Sequence, residues 1–195
     1  EVSDALGISM TALCFEPNER LHLTAFTQPA ILTAEIAIFS TLRAEFGLTV
    51  DTFAGHSLGE YAALVAAGVI PLAEAAVLVH QRGLAMQRAV PVGEGAMLAV
   101  TGLALDMPAI RSALTSQPVD VANLNSPQQV VLSGTAAGIH AVEATLRDTL
   151  PGARLTRLSV SAPFHSHLMT AIEPDFRALL TASSARWSPS GAGQV

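Results

Sequence analysis

At 195 residues, half of them apolar and 13% charged, the chain has the size and composition of one globular domain or two small ones, with too few charges for a disordered segment. Its net charge is −6 and its ten basic residues are scattered, which argues against a nucleic-acid partner, because phosphate recognition needs a basic face. No apolar run reaches the roughly 18 uncharged residues of a membrane helix, and a single cysteine, Cys14, excludes an internal disulfide and fits a reducing cytoplasm.

In chain order, Ile31, Ala34, Ile38, Leu42 and Phe46 recur at three- and four-residue steps and predict a helix over 27–46, capped by Gly47. Residues 49–54 read as a short strand, 55–59 as a turn and 60–67 as a helix closed by Gly68. Pro71 opens a longer helix to about 88, and Gly93 and Gly95 mark a break. The pattern then changes to strand 96–100, helix 107–114, strands 119–124 and 129–132 joined by a turn-rich tetrapeptide, helix 137–150 stopped by Pro151 and Gly152, and strand 154–160. That order, β-α-β-β-α-β, is the order of a ferredoxin-like unit. A further helix is expected at 170–180. The fold class is therefore α/β: a parallel-sheet framework over 1–94 and 162–195, with an α+β subdomain inserted at 95–161. The chain opens on Glu1 in mid-pattern and trails off after Trp187, so it reads as a piece of a longer protein.

The sharpest chemical signal is Ala54-Gly-His-Ser-Leu-Gly-Glu60, a G-x-S-x-G pattern between a strand and a helix. A tight turn needs small residues around the serine. It lifts the Ser57 hydroxyl clear of the sheet and sets it at a helix N-terminus, where free N–H groups favour developing negative charge. The N–H of Leu58 is the natural first oxyanion donor.

A serine nucleophile needs a base. Of the six histidines, His22, His80 and His140 read as solvent-facing or capping residues, and His56 diverges from its neighbour Ser57. His165 and His167 follow the last strand in a loop, where α/β folds place site residues, and the residue pattern alone does not choose between them. No acid to orient the base stands out, although a backbone carbonyl could fix the imidazole tautomer instead. Arg82, on an otherwise apolar helix, is either a surface arginine with a buried stem or a carboxylate clamp. His165 and His167 offer two candidate metal ligands with no third, so no metal is expected.

These residues also carry a family resemblance. Gly55-His-Ser-Leu-Gly-Glu-Tyr61 resembles the nucleophile motif of malonyl-CoA:acyl-carrier-protein transacylases and of the acyltransferase domains of polyketide and fatty acid synthases. Thr27-Gln-Pro-Ala30 resembles that family's T-Q-P-A helix opening, and Gln81-Arg-Gly-Leu-Ala-Met-Gln87 its R-G-x-x-M-Q segment. Gly95-Ala-Met97 resembles its G-x-M, Asn123 to Val130 its N-x-N-S-P-x-Q segment, and Val160 to Met169 its catalytic histidine loop. Nearly all of 1–180 is covered, in family order.

The resemblance implies a hydrolase-like α/β core with a ferredoxin-like insert, and a Ser57–His165 dyad whose imidazole is held by a main-chain carbonyl. It implies that Arg82 pairs with the free carboxylate of a dicarboxylic acyl group. Phe164 would tune acyl size, its bulk suiting malonyl over a branched unit, with Met86 and Leu58 lining the same pocket. The substrate would be a coenzyme A thioester with no further cofactor, and the partner an acyl carrier protein in the cytoplasm, without nucleic acid or membrane. The family's N-terminal strand with its G-Q-G-x-Q loop, which supplies a second oxyanion donor, and its C-terminal strands find no match here. The 195-residue chain by itself is therefore expected to be weakly active or inactive, with an apolar face left open. Two other readings share parts of the pattern. A serine thioesterase would hydrolyse malonyl-CoA without a carrier protein, and an inactive carrier-docking fragment would bind with or without Ser57.

Overall fold

The computed structural model describes residues 1–189 and 193–195. The helices are α1 (Val2–Leu6), α2 (Met10–Phe15), α3 (Thr24–Phe46), α4 (Gly59–Ala66), α5 (Leu72–Ala89), α6 (Met107–Ala113), α7 (Ala136–Thr149) and α8 (Glu173–Ser184). The strands are β1 (Gly95–Thr101), β2 (Val119–Ser126), β3 (Gln129–Thr135) and β4 (Arg154–Arg157). The chain divides into two compact units, Glu1–Ala85 with Pro174–Val195, and Met86–Glu173. The second unit is thus wider than the insert expected at 95–161. It takes in the end of α5 and the whole histidine loop, which are tied to it by hydrogen bonds described below.

In the first unit, Leu32 and Ile36 of α3 bury against Ala62 of α4 and Ala75, Ala76 and Val79 of α5. α3 begins at Thr24, three residues ahead of the expected start, with the Thr27 hydroxyl donating to the Leu21 carbonyl at 2.6 Å. Pro29 lies inside α3 and has no N–H to give to the carbonyl of Ala25, four residues earlier. That carbonyl accepts instead from His80 Nδ1 of α5 at 2.7 Å. His80, expected to be a solvent-facing or capping residue, is a helix-to-helix tie, and the Phe26 ring lies 5.6 Å from its own. Gly83 permits the approach, since a Cβ there would stand 2.5 Å from the Ala25 Cα. After α8, Arg186 and the Trp187 indole bond Glu74 of α5, and the Ser188 N–H donates to the Val69 carbonyl.

The strand expected at 49–54 carries no ladder. A ladder needs a neighbouring strand to bond, and among the described residues every strand belongs to the second unit. The parallel part of the expected core sheet is accordingly not formed by these residues. Around this segment α3 keeps apolar side chains in the open, with Ile38 62% and Phe46 77% exposed, and an apolar groove of about 420 Å³ runs between α3 and α4 past Phe53. By length and composition α3 could cross a membrane, but Pro29, Ala30, Leu32 and Ile36 are buried in the first unit.

The second unit keeps the expected β-α-β-β-α-β order. Its sheet is antiparallel in the order β2-β3-β1-β4. Alternation decides its faces: Leu98 and Val100 of β1 and Val130 and Leu132 of β3 bury against Ile110 of α6 and Ile139, Val142 and Leu146 of α7. Met97, Ala99 and Val131 point to the opposite face. Both helices are capped by side chains, Asp106 accepting from the Ala109 N–H and Thr135 from the Gly138 N–H, each at 3.0 Å. β4 is shorter than expected. It ends at Arg157, and one further bond, Leu158 N–H to the Met97 carbonyl at 3.0 Å, leads into the histidine loop.

Candidate active site

Ser57 joins the segment 49–56 to α4 with a φ of 56°, in the left-handed region that non-glycine residues rarely enter. Holding a residue there costs on the order of 1–3 kcal/mol, so the surroundings must impose it. Gly59 N–H donates to the His56 carbonyl at 3.0 Å and Tyr61 N–H to the Leu58 carbonyl at 2.9 Å, closing the turn from both sides. A Cβ on Gly55 would stand 1.9 Å from the carbonyl carbon of Gly59, so this glycine is required by the return of the chain over itself. Gly59 is different: a Cβ there would meet nothing within 4 Å. Only the first of the two glycines flanking the serine is imposed by space.

Leu58 buries its side chain in the first unit's core, 8% exposed, and α4 begins one residue later. Among the described residues no acceptor takes the Leu58 N–H. An N–H ahead of a helix, beside a serine oxygen, is what an oxyanion donor requires.

Arg82 lies beside the serine. Its Nη2 donates to Ser57 Oγ at 3.1 Å and its Nη1 to Gln28 Oε1 at 2.8 Å. Gln28 is buried and its own Nε2 donates to the Thr24 hydroxyl at 2.9 Å, so the arginine is aimed by a polar chain along one face of α3. The guanidinium carbon is 6.0 Å from the Tyr61 ring centroid. Burial pushes the Arg82 pKa down from its ordinary value, with Tyr61 and Glu60 pulling the other way. Burial likewise pushes the Tyr61 phenol up, partly offset by Arg82. No carboxylate forms an ion pair with Arg82 among the described residues. A desolvated guanidinium that bonds the neutral oxygens of Ser57 and Gln28, with no ion pair to a carboxylate among the described residues, favours an incoming anion.

Ser57, Leu58 and Arg82 all belong to the first unit, and Met86, Phe164 and His165 to the second. Met86 is buried at 6% exposure. Phe164 packs against Met97, Ala99 and Val131 on the open face of the sheet. His165 is exposed, with a φ of 57° that is left-handed like that of Ser57. His167 makes a different arrangement: its Nδ1 lies 2.6 Å from Asp120 Oδ2, and its backbone N–H donates to the same oxygen at 2.7 Å. Burial raises the Asp120 pKa, but the two hydrogen bonds and the charge of His167 outweigh it and hold the carboxyl below its usual range. His22 is exposed and His140 bonds Arg157 at 3.1 Å. Among the described residues no group of three or more metal-ligating side chains occurs.

The chain belongs to the acyltransferase family: the family described as "Acyl transferase domain" matches residues 1–190. Among curated relatives it is 41% identical over 187 residues to a malonyl CoA-acyl carrier protein transacylase of Bacillus subtilis, covering 93% of this chain and 58% of that protein. It is 44% identical over 172 residues to the transacylase of that name from Escherichia coli K12, covering 87% and 55%. Among solved structures, a malonyl-transacylase in complex with a type II polyketide synthase acyl carrier protein superposes with a TM-score of 0.87 at 38% identity, covering 96% of this chain and 60% of that one. The malonyl CoA-acyl carrier protein transacylase of Coxiella burnetii gives 0.86 at 42% identity, covering 94% and 58%. The chain thus spans a little over half the length of the relatives it matches, and its fold is that of their α/β structures.

Sequence reasoning missed Gln28, Asp120 and the tie made by His80. Gln28 stood in plain view inside Thr27-Gln-Pro-Ala30. A glutamine on the buried side of an apolar helix needs a partner, and that need was the available signal. Asp120 gave none, since a carboxylate in a half-exposed edge strand reads as solvated surface.

Proposed function

We propose that this chain carries the acyl-handling residues of a malonyl-CoA:acyl-carrier-protein transacylase. The observation that carries the reading is the Arg82 guanidinium, desolvated, without a carboxylate partner among the described residues, and bonded to Ser57 Oγ. A hydrolase acting on neutral acyl groups has no use for a buried cation at its nucleophile. A dicarboxylic acyl group supplies the missing anion.

In this reading His165 takes the Ser57 proton as Oγ attacks the thioester carbon of malonyl-CoA, and the oxyanion is met by the Leu58 N–H. The C–S bond breaks, coenzyme A leaves as the thiol after taking back the proton, and malonyl-Ser57 remains. The phosphopantetheine thiol of an acyl carrier protein then gives its proton to His165 and attacks the ester carbon; the C–O bond to Ser57 breaks, Oγ takes the proton back from His165, and the malonyl group leaves on the carrier's sulfur. Arg82 holds the free carboxylate away from the reacting carbon, and Phe164 and Met86 bound the acyl pocket. The chemistry so written asks for no cofactor beyond the thioester, and cytoplasmic placement follows from those substrates.

The test is incubation of the chain with malonyl-CoA and intact-protein mass spectrometry, with Ser57→Ala in parallel. A malonyl adduct on the wild type that is missing from Ser57→Ala supports the reading; no adduct on a folded wild-type sample withdraws it for this chain. Arg82→Gln supplies a second prediction. A hydrogen bond to a charged group is worth about 1.5–3 kcal/mol. The preference for malonyl-CoA over acetyl-CoA, read from single-turnover loading rates, should therefore fall by roughly ten- to a hundredfold. An unchanged preference would remove Arg82 from the acyl site.

A further inference from the structure

The transacylase reading gives His165 a task but says nothing of what holds it in an unfavourable backbone conformation. Its φ of 57° is one that a residue with a side chain keeps only when its neighbours over-determine it. The loop is fixed from both ends. On the N-terminal side, Gln87 Nε2 donates to the Ser161 carbonyl at 3.1 Å, Pro163 packs directly on Gly95, and Phe164 is seated against Met97 and Val131. The turn that contains His165 is closed by Ser166 Oγ, which donates back to the Pro163 carbonyl at 2.8 Å. On the C-terminal side, two residues after His165, the anchor is Asp120, which reaches from β2 at the edge of the sheet. One of its carboxylate oxygens accepts both the main-chain N–H and the imidazole Nδ1 of His167.

We propose that Asp120 is a positioning residue for the transfer reaction: by gripping His167 through both its backbone and its ring, it fixes the second end of the His165 turn and so sets the direction of the His165 imidazole. The inference rests on the transacylase reading for the task of His165. The geometry supports positioning over surface decoration in two ways. An ordinary exposed ion pair joins two flexible side chains, whereas here one partner is a main-chain amide, which transmits the restraint to the backbone. The two bonds also converge on one oxygen, so the carboxylate cannot swing away without losing both. His167, in turn, is the ring by which the loop is held.

The experiment compares the wild-type chain with Asp120→Ala and Asp120→Asn, with hydrogen exchange over 158–169, single-turnover loading from malonyl-CoA at several concentrations, and the melting temperature read for each. Asparagine keeps an oxygen that can accept the His167 N–H; alanine keeps none. Asp120→Ala is expected to raise exchange at 164–168 and to lower the maximal loading rate, each by roughly three- to tenfold, the scale of an exposed charged contact. The concentration for half-maximal loading should stay within error, the melting temperature should fall by no more than about 5 °C, and Asp120→Asn should recover at least half of both losses. Unchanged exchange at 164–168 in Asp120→Ala overturns the proposal, as does unchanged loading in a chain that loads. If the wild type does not load at all, it is the transacylase reading of this chain that fails, and the exchange comparison alone decides the clamp.

Discussion

Replacing His165 by alanine is expected to slow acylation of Ser57 by on the order of 10⁴-fold, whereas replacing His167 by alanine should leave it within about tenfold. A serine hydroxyl at neutral pH is almost wholly protonated, so without a base each attack must expel a proton to water, and known hydroxyl–imidazole pairs lose most of their rate when either member is removed. The contest between the two histidines is real. His167 has the carboxylate partner that general considerations would assign to a catalytic base, Asp120 Oδ2 at 2.6 Å from its Nδ1. The family resemblance nonetheless places the base at His165, and the left-handed backbone of that residue marks it as the one the loop is built to present. Single-turnover mass spectrometry of the two variants decides the matter. A deeper loss in His167→Ala would make the Asp120–His167 pair the catalytic one and would overturn both the dyad and the clamp.

The second large effect concerns a residue with no chemistry. Gly55→Ala is expected to lower the melting temperature by roughly 5–10 °C and to abolish the malonyl adduct, whereas Gly59→Ala should change neither by much. A new Cβ at 55 would stand 1.9 Å from both the carbonyl carbon and oxygen of Gly59 and 2.2 Å from the Glu60 nitrogen. All three are main-chain atoms at the start of α4, so nothing can swing aside and the turn itself must open. Overpacking of this kind costs about 1–3 kcal/mol, and for a chain of this length each kcal/mol is worth roughly 2–4 °C. Opening the turn also carries Ser57 away from Arg82 and the Leu58 N–H away from the serine oxygen, so activity is lost beyond what stability accounts for. At 59 the added methyl meets nothing within 4 Å and alanine is the better helix former. Thermal unfolding and intact mass of the two variants separate the glycine that the turn needs from the one that accompanies it.

What the sequence made legible, and what it did not, follows from how local each feature is. The turn around Ser57, the helices and the order of the second unit depend on residues close in sequence, and periodicity and glycine placement displayed them. Arg82 could be singled out because a charge on an apolar helix is conspicuous, but its partner Gln28 lies 54 positions away and shows itself only when α3 and α5 are packed. Asp120 and His167 are 47 apart and meet only because an edge strand and a loop come side by side. The strand expected at 49–54 failed for the opposite reason. Its residues have the right preferences, but a strand is a relation between two segments, and a propensity can describe only one of them.

The bond between His80 and the Ala25 carbonyl has a consequence for how this sequence can change. The acceptor is a main-chain atom, so no substitution at position 25 deletes it. It is open to His80 because Pro29 brings no N–H to it. Any other residue at 29 restores a competing donor within the helix, and the imidazole then loses its partner or must share it. Which residue is best at position 80 therefore depends on which occupies position 29, through an atom that belongs to neither. The two sites are epistatically coupled across 51 residues of chain, and the gain from a histidine at one is conditional on the imino acid at the other.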